Sequence, residues 1–382
     1  MGNKDISIVT TTINQPSFLD EYIENAREHG YLDNLTLYVI GDLKTPLDVK
    51  TYCRSLASAH GVEIIYMSID DQLEWLESRD LDGLREYLPY HSIQRRNIGY
   101  LYACEQGADV ILSLDDDNLA GNSDIFGAFS QVGETIDVLE VTSSNSWYNS
   151  ASMLNYEQAP SDEIYHRGFP YSKRSDAVEY EFMETTREIA VRAGLWLDIP
   201  DVDVITHLER SPRAVSLRDE FAHTPVALGN DTYCPVNTQN TAFDAAMMPL
   251  IHTIPMGDEI NGLELSRFDD IWLGYFAEKV LHSMGKTVAY GTPLSSHDRN
   301  VHHLKQELEH EAIGIQLNEL VIEILDSIEI TEADYVACYR ELITDFRREL
   351  HTREIDYEFR AYFEQMLDGM ETWTAACETV IQ

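Results

Sequence analysis

The chain has 382 residues, 44% of them apolar, and its 67 acidic residues against 27 basic ones give a formal net charge of −40. This length and apolar content predict a globular protein with a large buried core and more than one structural unit. The excess of negative charge argues strongly against nucleic acid or an anionic membrane surface as a partner, because both would repel such a protein.

Two further features of the composition concern the cellular setting. No apolar run reaches the length of a membrane span, and the N-terminus has no leader pattern, so a cytoplasmic location is predicted. The five cysteines lie far apart and follow no disulfide or zinc spacing, which predicts reduced, structural thiols. With seven lysines in the chain, the acidity fits a high-salt source about as well as an ordinary acidic protein.

The first 120 residues alternate strand and helix patterns. Strands are predicted at 6–12, 35–42, 62–69 and from 108, and helices at 17–27, 46–61 and 92–107, with Ser17 and Asp20 as a weak capping box. Apolar strands separated by helices predict an α/β fold with a parallel sheet covered on both faces. Ligands bind at the carboxyl ends of such strands, where Asp42 and Asp115 to Asp117 fall.

The rest of the chain changes character twice. Residues 121–300 show shorter strands, tryptophans and loops, and the segment from 303 onward is helical. We therefore expect a catalytic domain at 1–302 and a C-terminal helical region at 303–382. The apolar stripes of that region can dock on the catalytic domain or on another subunit, so a homo-oligomer is a possible assembly.

The stretch "SLDDDNL" ends a buried strand with three adjacent carboxylates, Asp115, Asp116 and Asp117. Their mutual repulsion would be relieved by a hard divalent cation such as Mn²⁺ or Mg²⁺, although three aspartates in a solvated loop that caps the next helix explain the pattern equally well. Arg95 and Arg96 on the preceding helix, and the acidic pair Asp269 and Asp270, favour the metal site.

Such a set of groups suits a sugar nucleotide. Breaking the bond between an anomeric carbon and a diphosphate places charge on the leaving phosphate, which a metal and arginines stabilise, while carboxylates bind the sugar. This combination is typical of GT-A glycosyltransferases, in which a DXD motif on a Rossmann-like fold holds the metal.

Five further segments resemble a known family. "HRGFPYSKR" (166–174), "GLWLDIPDVD" (194–203), "NTAF" (240–243), "RFDDIW" (267–272) and "YFEQMLDGMETW" (362–373) occur in this order. Together with "SLDDDNL" they are similar to landmarks of the reversibly glycosylated polypeptides, the UDP-arabinopyranose mutase family. The likeness covers about two thirds of the chain, whereas the first 90 residues match in strand and helix pattern only.

The resemblance implies roles for particular residues. Asp115 and Asp117 would be metal ligands with His297 as a third candidate, and Asp116 would lie beside them. Phosphate or uracil contacts are expected near Arg96, and we place Asp42 and Arg95 in the same nucleotide subsite. Arg167 matches the residue associated with reversible self-glycosylation, Arg174 matches a second family arginine, and Asp269 and Asp270 would face the sugar.

Each of these residues has a structural alternative. Without the resemblance, Arg167 would best be explained as a loop-bridging partner of a carboxylate, and Asp269 or Asp270 could cap the following helix. Trp196 and Trp272 are expected in the core rather than as stacking platforms. His302 and His303 compete with His297, since local spacing alone does not separate them.

Three functions follow from these observations. The first is a metal-dependent enzyme that acts on a UDP-sugar and interconverts its ring forms or transfers the sugar to itself. The second is a glycosyltransferase with a separate acceptor, which predicts an open acceptor groove. The third is a catalytically weak partner subunit of a complex, against which the intact acidic cluster and Arg167 argue.

Overall fold

The computed structural model describes residues 4–121, 123–157, 160–174, 177–297 and 304–381. The strands are β1 Ile6–Thr11, β2 Leu35–Ile40, β3 Glu63–Met67, β4 Val110–Leu114, β5 Asn118–Leu119, β6 Thr135–Ser143, β7 Leu154–Tyr156, β8 Tyr180–Asp198, β9 Ala214–Leu217, β10 Val226–Leu228, β11 Asn240–Asp244, β12 Glu259–Ile260, β13 Leu263–Glu264 and β14 Thr287–His297. The α-helices are α1 Leu19–His29, α2 Val49–His60, α3 Ile69–Ser78, α4 Asp82–Tyr87, α5 Arg96–Glu105, α6 Ile125–Phe129, α7 Val204–Arg210, α8 Asp269–Ser283, α9 Leu304–Asp326, α10 Tyr335–Thr352 and α11 Tyr357–Val380.

The first four long strands form a parallel half-sheet. Their spatial order is β3-β2-β1-β4, with β1 paired in parallel to both β2 and β4. This order is half of a Rossmann-type sheet, in which ligands bind beyond the carboxyl ends of the strands. The predicted α/β class is confirmed, and the ends of β1, β2 and β4 lie along the edge where Asp42 and the three aspartates were predicted.

The sheet continues with antiparallel pairs beyond β4. β11 pairs with β4 and with the second half of β8, while the first half of β8 pairs with β6. β14 runs parallel to the second half of β8, and its end pairs with β5, immediately after the three aspartates. The 19-residue length of β8 lets one strand join the two parts of the sheet.

Some local predictions need correction. The capping box at Ser17 is wrong, because α1 begins at Leu19 behind Phe18 and has no side-chain cap. A capping box instead begins α3, where Ser68 and Asp71 bond to each other's backbone amides. That helix was missed, since the segment that precedes it was assigned to a strand through residue 69. The predicted end of α2 at Gly61, with φ of 69°, is confirmed.

The C-terminal helices pack on the rest of the protein. Trp272 of α8 is fully buried and its Nε1 donates to Asn318 Oδ1 of α9 at 3.0 Å, while Trp373 Nε1 of α11 donates to the Pro249 carbonyl at 3.0 Å. The predicted core positions of Trp196 and Trp272 are confirmed. The proposed domain boundary at 302/303 lies outside the described residues, as do His302 and His303.

All five cysteines have free thiols. None of the helices in the described ranges is both long enough and apolar enough to cross a membrane.

Candidate active site

The acidic turn after β4 is held in place by a buried arginine. Arg96, at the start of α5, is 2% exposed, and its Nη2 donates to Asp115 Oδ1 at 2.5 Å. The guanidinium also donates to Ser113 Oγ at 3.0 Å, to the Thr238 carbonyl at 3.2 Å and to Thr11 Oγ1 at 3.3 Å. Burial lowers the pKa of Arg96, but the charge of Asp115 more than offsets this and keeps the guanidinium protonated. Arg96 therefore positions Asp115 through a charge-assisted hydrogen bond.

The three aspartates have different partners. Burial raises the pKa of Asp115 against the opposing charge of Arg96, and the nearby Asp117 and Asp270 raise it further. Asp116 Oδ2 accepts a hydrogen bond from Thr12 Oγ1 at the end of β1, at 2.8 Å. Asp117 Oδ2 lies 3.3 Å from His297 Nε2. The acidic turn is thus anchored on one side by β1 and contacts the end of β14 on the other.

His297 is oriented as a metal-binding histidine often is. Its Nδ1 lies 2.8 Å from the Ile199 carbonyl, so Nδ1 carries the proton and Nε2 points to Asp117. Carboxylate oxygens and an imidazole nitrogen suit Mn²⁺ or Mg²⁺ as ligands. Within the described ranges, no group of three or more His, Cys, Asp or Glu side chains is arranged to hold a metal ion. Asp117 and His297 therefore provide two suitable ligands for the predicted ion. Asp115, the other predicted ligand, is hydrogen-bonded to Arg96.

A second cluster surrounds Arg167 and uses all of its donors. Arg167 Nε and Nη2 bind the carboxylate of Asp201 at 2.8 and 2.9 Å, and Nη1 and Nη2 bind that of Asp270 at 3.0 and 3.1 Å. Nη1 also donates to the Arg267 carbonyl. A guanidinium has five N–H donors, and each of these is directed at protein oxygen. Although burial lowers the pKa of Arg167, the two carboxylates hold it well above the usual value.

Asp201 was not predicted from the sequence. It is 4% exposed and also accepts a hydrogen bond from Asn237 Nδ2 at 2.8 Å. The Arg167 charge lowers the pKa of Asp201 far below the usual range, in spite of burial. Asp201 lies in "DIPDVD", which has the composition of a turn. The clearest available signal was an acidic residue in the segment that directly follows a buried strand.

Asp269 and Asp270 form the first turn of α8 and both side chains are buried. Asp270 faces Arg167, whereas Asp269 Oδ2 accepts a hydrogen bond from Gln94 Nε2 at 2.7 Å. Burial, followed by the charge of Asp270, raises the pKa of Asp269 to about 6. Neither residue caps α8, since the residue before the helix is Phe268. Asp269 is therefore a carboxyl group that can gain or lose a proton near neutral pH.

The remaining predicted residues occupy the margins of the site. Asp42 Oδ2 accepts from the Ser92 amide at 2.9 Å, joining the loop after β2 to the start of α5. Arg95 binds Gln72 Oε1 through Nε at 2.8 Å and Nη2 at 2.7 Å. Arg174 binds Asp203 Oδ2 at 2.6 Å, and Asp203 caps α7. Arg95 and Arg174 thus have structural partners in this conformation.

The C-terminal region supports the Arg167 cluster directly. Glu311 of α9 binds Arg267 Nε at 2.7 Å and accepts from the Val204 amide at 2.8 Å. Asn318 of α9 donates to the Gly168 carbonyl at 2.8 Å. Gly168 has φ of 87°, and a Cβ there would lie 2.4 Å from Ile271 Cγ2, so glycine is required. The loop that carries Arg167 is therefore fixed from both sides.

The half-sheet, the acidic turn at its edge and the supporting helices define a Rossmann-like α/β protein with a C-terminal helical region. The sequence profile described as "Reversibly glycosylated polypeptide" matches residues 2–381. The chain belongs to the reversibly glycosylated polypeptide family.

Two named relatives and one solved structure are similar to this chain, and the relatives share the higher sequence identity with it. Probable UDP-arabinopyranose mutase 4 of Arabidopsis thaliana is 27% identical over 271 residues, covering 70% of this chain and 67% of the relative. UDP-arabinopyranose mutase 1 of Oryza sativa subsp. japonica is 28% identical over 287 residues, covering 74% and 70%. Glucosyl-3-phosphoglycerate synthase from Mycobacterium tuberculosis, solved with Mn²⁺ and UDP-glucose, has a TM-score of 0.38 and 11% identity, covering 82% of this chain and 78% of that chain.

Proposed function

We propose that this protein is an enzyme that binds a UDP-sugar at the edge formed by β1, β4 and β14 and acts at the anomeric carbon. The observation that carries the proposal is the acidic turn, in which Asp115 is held by buried Arg96 and Asp117 faces His297. Family membership and the names of the relatives, which are UDP-arabinopyranose mutases, support the same substrate class.

A divalent cation, Mn²⁺ or Mg²⁺, is part of the proposal. Asp117 and His297 would hold it, with Asp115 as the third candidate ligand. When bound, such an ion neutralises a diphosphate and stabilises it as a leaving group. Arg96 then has a positioning role, because its donors orient Asp115 and the Thr238 carbonyl.

The two carboxylates of α8, Asp269 and Asp270, are proposed to face the sugar and hold its hydroxyl groups. Asp269 can hold a proton or accept one at a carboxyl oxygen, since its pKa of about 6 lies near neutrality. Arg167, held between Asp201 and Asp270, fixes the carboxylate of Asp270 and balances its charge. The low exposure of these groups keeps bulk water away from them. A reactive glycosyl species requires this exclusion, because water would otherwise hydrolyse it.

The first candidate reaction is interconversion of the pyranose and furanose forms of the UDP-sugar, with reversible self-glycosylation at Arg167. The second is transfer of the sugar to a separate acceptor, and one observation favours it. Arg167 is 4% exposed and directs all five donors at protein atoms, so glycosylation of its guanidinium requires that some of these bonds break.

Incubation with Mn²⁺ and a panel of UDP-sugars tests the proposal. Chromatography separates ring isomers of the UDP-sugar from released UDP, and intact-protein mass spectrometry detects attached sugar. We expect the protein to consume at least one UDP-sugar. This activity should be lost in EDTA and in Asp117→Ala and retained in Asp33→Ala, a control residue that precedes β2, at the end of that strand opposite Asp42. Full activity in EDTA, or no consumption of any UDP-sugar, would contradict the proposal.

A cytoplasmic location and a homo-oligomeric state stay predictions. So does the division into a nucleotide-sugar-binding domain at 1–302 and a helical region at 303–382.

A further inference from the structure

Two adjoining cavities follow the first half of α11. The volume of one is about 300 Å³ and that of the other about 370 Å³, and Asp258, Tyr362 and Gln365 line both. Both volumes are at the lower end of the range of small-molecule sites. We call this surface the α11 groove, and its aromatic and acidic lining residues are Tyr87, Tyr357, Tyr362, Asp258, Glu259 and Glu358.

The walls of the α11 groove are fixed by specific contacts. The ring of Tyr87 lies against the backbone of Gly369, where an added Cβ would approach the ring to 2.2 Å. The Asn261 amide donates to Glu358 Oε2, which ties the turn between β12 and β13 to α11. Asn261 and Gly262 both have positive φ, 52° and 79°, as this two-residue hairpin turn requires. The groove is therefore a built surface and not a gap between loosely packed segments.

The charge of the α11 groove restricts its ligand. Its lining includes the carboxylates of Asp258, Glu259 and Glu358 and neither lysine nor arginine. In a chain with a formal charge of −40, such a surface repels phosphates, nucleotides and acidic sugars. In the described residues no three acidic side chains are grouped as a metal-ion site would require, so these carboxylates do not form such a site.

The aromatic residues favour a neutral, ring-shaped ligand. The face of a tyrosine ring is electron-rich and packs against the C–H face of a sugar, while carboxylate and amide oxygens accept hydrogen bonds from sugar hydroxyls. Tyr357 is 82% exposed, which leaves its ring available for contact with a ligand. Tyr87 lines one cavity and Tyr357 the other, while Tyr362 lines both but is itself buried. One tyrosine in each of two adjoining cavities fits a ligand of more than one sugar ring.

The α11 groove adjoins the proposed UDP-sugar site. Tyr362 lines both cavities, and its ring centroid lies 6.2 Å from that of Trp272, which belongs to the same helix as Asp269. Burial, followed by the charges of Tyr87, Asp258 and Asp269, raises the pKa of Tyr362 well above the usual value. Pro89 lines the groove three residues before Ser92, whose amide binds Asp42.

We propose that the α11 groove binds a neutral oligosaccharide beside the UDP-sugar site. The inference goes beyond the proposed function, since oligosaccharide binding can be measured without nucleotide. Its significance as an acceptor site rests on the proposed function.

Isothermal titration of the full chain with maltotriose, xylotriose and cellotriose tests the proposal, with spermine as a cationic probe and UDP with Mn²⁺ as a separate titration. We expect at least one trisaccharide to bind in the millimolar range or more tightly. Tyr357→Ala should weaken it about five- to tenfold, the loss expected for one aromatic contact, without affecting the fold because Tyr357 is exposed. Glu378→Ala, at the far end of α11 in a different cavity, is the matched control.

The outcomes separate this inference from the proposed function. No binding of any trisaccharide, equal affinity in Tyr357→Ala and the wild type, or binding of spermine alone would each overturn the oligosaccharide site. The UDP titration is independent of the trisaccharide titrations. If a trisaccharide binds and UDP does not, this result would contradict the proposed function and leave the α11 groove assignment standing.

Discussion

At the scale of single residues, the site is a set of buried charges whose partners differ in kind. Asp115 and Asp270 are each held by one arginine, whereas Asp269 has an uncharged partner, Gln94. A buried carboxylate without a cation is costly in its charged form, and this cost is what shifts the pKa of Asp269. The same cost makes the paired carboxylates depend on their arginines.

Removal of Arg167 tests that dependence. Arg167→Met leaves Asp201 and Asp270 buried without their main counter-charge, so we expect the free energy of unfolding to fall by about 3 to 5 kcal/mol. Urea unfolding followed by fluorescence measures the change. Arg340→Met, which removes an exposed ion pair with Glu378, should cost about 1 kcal/mol or less. Equal losses in the two variants would show that the Arg167 cluster is not a buried network.

The pH dependence of stability tests the assignment of Asp269. Between its unfolded pKa of 3.8 and its folded pKa of about 6, the folded state binds the additional proton, so the free energy of unfolding falls as pH rises through this window. Asp269→Asn keeps an acceptor for Gln94 and removes the titration. We expect the variant to be more stable than the wild type at pH 8, by on the order of 1 to 2 kcal/mol, and to differ less at pH 4. Parallel pH profiles for the two proteins would contradict the assignment.

At the scale of secondary structure elements, local sequence patterns predicted the half-sheet well. β1, β2 and β4 are continuous apolar strands, and the aspartates that follow them lie at the predicted edge. α3 was missed because its capping box, Ser68 and Asp71, follows a strand without a separating turn. Asp270 was predicted as a site residue and Asp201 was not. Both lie far from Arg167 in the chain, at 34 residues for Asp201 and 103 for Asp270, and meet it through tertiary packing.

The contact between α9 and the Arg167 loop gives a prediction at this scale. Asn318→Ala removes the acceptor of Trp272 Nε1 and a donor to the Gly168 carbonyl. This change leaves the buried Trp272 Nε1 without an acceptor, while the Gly168 carbonyl still accepts from the Tyr275 hydroxyl. We expect the free energy of unfolding to fall by about 1 to 3 kcal/mol, measured by urea unfolding. Asn155→Ala, which removes an exposed hydrogen bond to Ser216, should change stability by less than about 0.5 kcal/mol. An unchanged stability in Asn318→Ala would show that α9 does not support the loop.

At the scale of the whole molecule, acidic side chains outnumber basic ones by more than two to one. Like charges on one surface repel each other and destabilise the compact state, and salt screens this repulsion, with a Debye length of about 10 Å at 0.1 M and about 3 Å at 1 M. Some surface ion pairs, such as those of Arg347 with three carboxylates, would be weakened by the same screening. The excess of acidic residues makes the repulsion the larger effect.

Raising the salt concentration should therefore raise the melting temperature. We expect Tm to increase between about 0.1 M and about 1 M KCl, and NaCl to give the same result because screening does not depend on the cation. Differential scanning calorimetry measures the shift. A Tm that falls with salt would indicate that ion pairs dominate the electrostatic contribution to stability.

The proposed function requires the acidic turn between β4 and β5 to hold a UDP-sugar together with a divalent cation, and a titration with UDP tests this requirement. UDP is titrated into wild-type protein, Asp117→Asn and Asp33→Asn, each with Mn²⁺ and with EDTA. We predict that UDP binds to the wild type and Asp33→Asn in the presence of Mn²⁺, and that EDTA or Asp117→Asn weakens binding at least about tenfold. Equal UDP affinity in all three proteins, with and without Mn²⁺, would contradict the assignment of the site.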